Sequence, residues 1–235
     1  MKKLQKKIII NTKLKVLTGL HIGDSSDSIE IGGVDNPVVR MKKNNTPYIP
    51  GSSLKGKIRS LLEQIEGAVE VGGGMKKELD NGKKVDYKYE DKPKKIQEII
   101  NLFGYANDNK PSKIIVRDSE MDKDCALEFS EIDTLDMPYT EVKYENTIDR
   151  IKGTAAHPRQ MERVPTGAIF NVEFILNVWD DDKDGEELFN LLKKGVKALE
   201  LDYLGGSGTR GYGKVKFLDF PENINNCKVI ELANL

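Results

Sequence analysis

The chain has 235 residues, 38% hydrophobic and 32% charged, with a formal net charge of −1, which is the composition of one large globular domain with a heavily charged surface. No stretch nears the roughly 20 apolar residues of a membrane helix, and the lysine-bearing N-terminus lacks the apolar region and cleavage pattern of a signal peptide, so a cytoplasmic location is expected. The charge balance sets the chain apart from dedicated duplex binders, which are basic overall, and a four-ligand zinc site would need both cysteines, Cys125 and Cys227, and both histidines, His21 and His157.

In chain order, Ile8 to Val16 is the first expected strand. Ile8, Ile10, Leu14 and Val16 alternate with Asn11, Lys13 and Lys15, giving one buried and one wet face. A Gly-, Asp-, Ser- and Pro-rich loop follows, from about Thr18 to Pro50, and a loop of that length in a compact domain is functional or disordered. Leu54, Ile58, Leu61, Leu62 and Ile65 form the stripe of a helix over Ser52 to Glu66, with Ser52 or Ser53 as its N-cap. Met75 to Lys95 holds 8 lysines and 5 acids, too polar a stretch to bury much surface. Ile96, Ile99, Ile100 and Phe103 then make a short helix that Gly104 stops.

Lys113 to Asp118 reads as a strand. Residues 126–165 form a polar insertion with the pattern of an extended hairpin, followed by the strongest strand, Ala168 to Val178. A second long helix starts after Asp184, with Glu187 at capping-box spacing. The glycine loop Gly205 to Gly213 leads into a last strand, Lys214 to Phe220. Without its insertions the chain runs strand, helix, strand, strand, helix, strand. That is an α+β, ferredoxin-like order, shared by RNA-recognition-motif domains.

Four segments carry candidate chemistry. Ser52, Ser53, Lys55, Lys57 and Arg59 cluster at a helix start, where free N–H groups and the helix dipole suit phosphate. The alternative is an ordinary cap beside a solvated basic face, and the absence of GxxxxGK[ST] spacing disfavours nucleotide hydrolysis. The loop from Gly205 lets backbone approach an anion, while Arg210 and Tyr212 add charge and a stacking face; the alternative is a flexible helix-to-strand connection. Asp35, in Gly32 to Arg40, could hold a divalent metal or orient a hydroxyl near phosphate. From the residues alone, Asp35-Asn36-Pro37 is more simply a turn. His21 follows the first strand without an obvious partner, which fits a simple contact better than acid–base work.

Together these segments resemble the RAMP superfamily, and within it the repeated backbone subunit of type III-A CRISPR effectors. TGLHIG at 18–23, GGVDNPVVR at 32–40, PYIPGSSLKGKIRSLLE at 47–63, LFG at 102–104, EVKYENTIDRIKGTAAHPRQMERVP at 141–165 and GGSGTRGYGKV at 205–215 carry the likeness. The resemblance implies a single domain over 1–235 with a core of about 7–66, 112–125 and 166–220. A lid is implied at about 67–111 and a thumb at about 126–165. It implies copies stacked head to tail on a CRISPR RNA, alongside other subunits of the Csm complex, displaying the guide to single-stranded target RNA. The thumb would flip target bases at regular intervals.

The resemblance also assigns Asp35 to metal-dependent target cleavage, with Mg²⁺ as the expected ion. The RNA contacts expected are His21, Ser52, Ser53, Lys55, Arg59, Arg150, Arg163, Gly206, Gly208 and Arg210. Met41 to Asn45 departs from the family, which carries Asp-Pro there. A non-catalytic scaffold that only binds guide and target is the alternative function.

Overall fold

The computed structural model describes residues 2–24, 34–67, 77–78, 84–85, 92–105 and 109–234. About half of the lid expected over 67–111 therefore lies outside the described residues.

The core is an antiparallel sheet. Strand β1, Leu4–Val16, lies between β9, Ile169–Trp179, and β10, Val215–Leu218, and β5, Ile114–Val116, pairs with the far side of β9. Strand β11, Lys228–Glu231, also pairs with β1, beyond β10. The alternation read from the sequence sets the register. Ile8, Ile10 and Leu14 face Leu176, Phe174 and Phe170 across the β1–β9 ladder, and all six are fully buried. A one-residue slip would turn this whole apolar set to water.

Two helices cover the inner face. In α1, Gly51–Ile65, the residues Leu54, Ile58, Leu61 and Leu62 are buried, while Ile65 at its end is 52% exposed. In α4, Glu186–Leu201, the predicted stripe of Leu188, Leu192, Val196 and Leu199 is buried as expected. The two helices meet at Gly195, where a Cβ would lie 2.5 Å from Cγ2 of Ile58. Helix α2, Lys94–Phe103, ends at Gly104, whose φ of 86° is a conformation glycine adopts without strain.

Two expected caps are absent. Neither Ser52 nor Ser53 caps α1. The helix starts one residue earlier, and the Gly51 N–H donates instead to Asp118 Oδ1 at 2.8 Å. The Asp184–Glu187 capping box does not form either. Gly185 precedes α4 at φ 81°, packed so closely that a Cβ would lie 2.8 Å from Val178 Cγ2.

The 126–165 insertion is only partly a hairpin. It is preceded and entered by helix α3, Lys123–Ser130, which Asp122 caps and whose Cys125 and Phe129 join the core. The hairpin proper is β7, Glu141–Ile148, with β8, Ala155–Arg163. Short strands β2, Tyr48–Ile49, and β6, Ser119–Glu120, pair with each other, as do β3, Lys77–Glu78, and β4, Lys84–Val85.

Candidate nucleic-acid interface

The hairpin ends in a tight turn. Asp149 Oδ1 accepts from the N–H groups of Ile151 and Lys152 at 2.8 and 3.1 Å, and these hold its carboxyl below the usual carboxylate range. Gly153 completes the turn at φ 66°. The turn leaves Ile151 97% exposed, with Ile148 and Arg150 also in solvent. The tip therefore holds two isoleucine side chains in water.

At the hairpin base, Glu162 is a buried hub. Its Oε1 accepts from Arg40 Nη2 at 2.5 Å and from Thr140 Oγ1 at 2.6 Å, and its Oε2 accepts from Val38 N–H at 2.7 Å. Its own N–H donates to Asn36 O at 3.1 Å. Its own carbonyl meets His21 Nδ1 at 2.6 Å. One side chain and its peptide groups thus tie the 36–40 loop and His21 to β8. Arg40 also donates to Asn45 O and Pro138 O at 2.7 and 3.0 Å. The turn over 41–45 is therefore anchored through this same guanidinium.

Asp35 lies one residue before this anchored segment. It is exposed, and its Oδ2 accepts from the Gln160 N–H on β8 at 3.1 Å. The carboxylate is thereby fixed beside the hairpin while facing solvent. Because the carbonyl of Glu162 requires a proton on His21 Nδ1, the neutral imidazole presents Nε2 as its acceptor. Gly23 sits beside that nitrogen, with room for a Cβ only at 3.3 Å.

The glycine loop is seated on His21. The Gly206 N–H donates to His21 O at 2.8 Å, and a Cβ on Gly205 would fall 2.2 Å from that oxygen. Gly208 packs on Tyr203, where a Cβ would overlap the ring. Lys57 Nζ sits 3.7 Å over the same ring and 2.7 Å from Asp202. Lys57, rather than the other two basic residues of α1, therefore reaches the loop.

Tyr212 joins loop and hairpin. Its ring is buried, with Lys143 and Arg163 over it at 4.5 and 5.2 Å, and its hydroxyl donates to Glu145 Oε1 at 2.8 Å. Burial and then this bond push the Tyr212 hydroxyl up to about 12. Burial alone would raise the Glu145 carboxyl, but Tyr212, Arg210, Lys143 and Arg159 outweigh it and hold the group below its usual range. Arg210 lies 3.5 Å from Glu145 Oε2, and Arg163 bonds Glu141 at 2.6 Å as its stem crosses Gly19.

The structure thus brings Asp35, His21, Arg163, Gly206, Gly208 and Arg210 around the hairpin base, and places Arg150 at the far tip. Ser52 is exposed and Ser53 half-buried at the α1 start. Lys55 turns inward, donating to Ser112 Oγ at 2.7 Å, and burial followed by the Arg59 charge lowers its pKa. Arg59 bonds Glu63 at 2.7 Å and Gly104 O at 3.0 Å. Both would have to leave protein partners to meet phosphate. Glu162 and Thr140 were missed by sequence reasoning. The signal available was the conjunction of a glutamate on a strand with an arginine in the Asp35 loop.

Among the described residues, no group of three or more His, Cys, Asp or Glu side chains could hold a metal ion. Asp35 supplies one exposed hard oxygen donor at the hairpin base. That suits an ion such as Mg²⁺, which keeps most of its waters and is shared between one or two carboxylates and substrate phosphates. Among the described residues, no helix is long and apolar enough to cross a membrane.

A model of the RAMP superfamily matches residues 13–216. A Methanothermobacter thermautotrophicus protein named CRISPR system Cms endoribonuclease Csm3 is 41% identical over 230 residues, covering 92% of this chain and 85% of its own. A Streptococcus thermophilus protein of the same name is 40% identical over 216 residues, covering 90% and 87%. Among solved structures, a chain of a Csm3–Csm4 subcomplex from a type III-A CRISPR-Cas interference complex aligns with TM-score 0.53 and 28% identity, covering 97% of this chain and 90% of that one. A chain of a type III-B Cmr-beta complex bound to cognate target RNA shares the fold, with TM-score 0.60 at 14% identity, covering 96% and 61%.

Proposed function

This chain belongs to the RAMP superfamily and to the Csm3 proteins within it, and from that premise we propose that it is the repeated backbone subunit of a Csm-type CRISPR effector. It holds CRISPR RNA, stacks with further copies of itself, and cuts complementary target RNA beside its thumb. The observation that carries this reading is the exposed Asp35 carboxylate, bonded to β8 at the base of the hairpin and next to the His21–glycine loop contact. The strand order β10-β1-β9-β5, with all pairs antiparallel, supports reading the core as ferredoxin-like.

The chemistry follows from position. The hairpin, with its apolar tip, displaces a target nucleotide and sets the neighbouring 2′-OH in line with its phosphate. Such alignment supplies several kcal/mol of the barrier on its own. Asp35, exposed and with Oδ2 held by the Gln160 N–H, would face that phosphate. Asp35 would be the residue to hold a divalent ion there, and such an ion would supply neutralisation of developing charge. His21, with Nδ1 committed to Glu162, offers Nε2 to RNA as an acceptor or, when protonated, as a donor. The glycine loop presents close backbone to the guide, and Arg210 and Arg163 add cations at its edges.

Purification of the tagged chain from cells carrying a CRISPR locus, with sequencing of its RNA, tests this reading. Reads dominated by CRISPR spacers, together with partner subunits in the same complex, are expected. Recovery of bulk RNA without spacer enrichment would refute it.

A further inference from the structure

The outer face of the sheet is open, and its charges are unevenly matched. Lys13 is held by Asp122 at 2.9 Å, and Glu173 by Arg117 at 3.6 Å. Lys15 and Lys216 are direct cross-strand partners on β1 and β10. Both are exposed on this outer face, because their neighbours Leu14, Val16, Val215 and Phe217 point inward. Lys214 is exposed two residues before Lys216, just ahead of β10. None of these three lysines has an acidic partner among the described residues. Asp219 follows Lys216 by three positions, about 10 Å further along the chain. Like charges directly opposite across an antiparallel ladder destabilise it, so Lys15 and Lys216 lower the stability of the sheet they sit on.

The trio is continuous with the interface already described. Lys214 follows Gly213, the last residue of the glycine loop. Its N–H donates to Thr18 Oγ1 at 3.0 Å, and its carbonyl accepts from Leu17 and Thr18 at 2.8 and 3.2 Å. The patch therefore starts where the His21 loop and the glycine loop join β1 and β10. No aromatic residue shares the outward positions of these two strands, so the surface offers charge without a stacking platform.

We propose that Lys15, Lys214 and Lys216 form a phosphate-binding extension of the RNA interface, which takes the backbone of a single strand leaving the glycine loop, independent of its sequence. This rests on the RNA-binding reading above. The patch positions the strand by charge and leaves base recognition to guide–target pairing.

Anisotropy titrations of the full chain with polyuridine over a range of salt test the proposal. For Lys15→Gln with Lys216→Gln, affinity at low salt falls about tenfold, and the slope of log K against log[salt] shrinks by about 1.4, from ~0.7 per lost contact to a single strand. Lys216→Glu separates function from folding. It gives Lys15 an opposite charge across the ladder, so Tm rises by about 1 to 3 °C while RNA binding weakens. Unchanged affinity and slope in the double variant, with the native chain binding normally, would overturn the patch alone. Unchanged slope with altered self-association would make it a protein contact and overturn it too. A native chain that binds no polyuridine at any salt would overturn both the patch and the RNA-binding reading beneath it.

Discussion

Glu162 looks in the sequence like its neighbours Glu141 and Glu145, one more acid in a mixed-charge stretch. The structure separates them by burial. Glu162 is 1% exposed and accepts hydrogen bonds from Arg40, Thr140 and Val38, so its removal leaves the Arg40 charge without its carboxylate and the Val38 N–H without its acceptor. Glu162→Ala should cost about 3 kcal/mol in denaturant unfolding. Tyr212 gives a pH signature. Its folded pKa of about 12 stands above the ordinary 10.0, so the folded state holds its proton more tightly than the unfolded chain. That contribution is whole below pH 10.0 and lost as pH rises towards about 12. Tyr212→Phe should remove this part of the alkaline loss of unfolding free energy, and a wild-type alkaline slope in the variant would show the hydroxyl is not responsible. Sequence reasoning valued Tyr212 as a stacking face for RNA. Its ring is instead covered by Lys143 and Arg163, because a tyrosine beside an insertion packs on whatever that insertion brings over it.

At the scale of elements, periodicity located β1, β9, α1, α2 and α4, since each carries a full apolar stripe. Helix α3 and strand β11 escaped because Cys125 and Phe129 make only one turn of stripe, and Lys228–Glu231 is too short to show alternation. Caps failed for a different reason. Asp118, distant in sequence, took the place of a serine cap at α1, and no local motif announces such a contact. Helix contact at Gly195 yields a prediction. A methyl there meets the branched side chain of Ile58, so Gly195→Ala should destabilise by about 1 kcal/mol despite its better helix propensity. The hairpin tip behaves oppositely. Ile151→Ser with Ile148→Ser removes exposed carbons and should leave stability within about 0.5 kcal/mol, while cleavage in the assembled complex declines. Full cleavage by that variant would remove the tip from the mechanism.

For the whole molecule, the net charge of −1 is the sum of opposed surfaces and says little about partners. The cations that matter are gathered at the glycine loop, the hairpin base and the outer edge of the sheet. The site was legible in the sequence as separate motifs, chiefly through family resemblance. Its assembly was not, because Asp35, His21 and Gly206 meet only once β8 folds back against the first loop. The most direct measurement is target cleavage by the assembled complex with complementary RNA and Mg²⁺, comparing native chain with Asp35→Ala. On the proposal that Asp35 holds the ion, its loss removes several kcal/mol of transition-state stabilisation, so regularly spaced products should fall by about 100-fold or more, with target binding intact. Products at native rate and spacing from the Asp35→Ala complex would contradict the account.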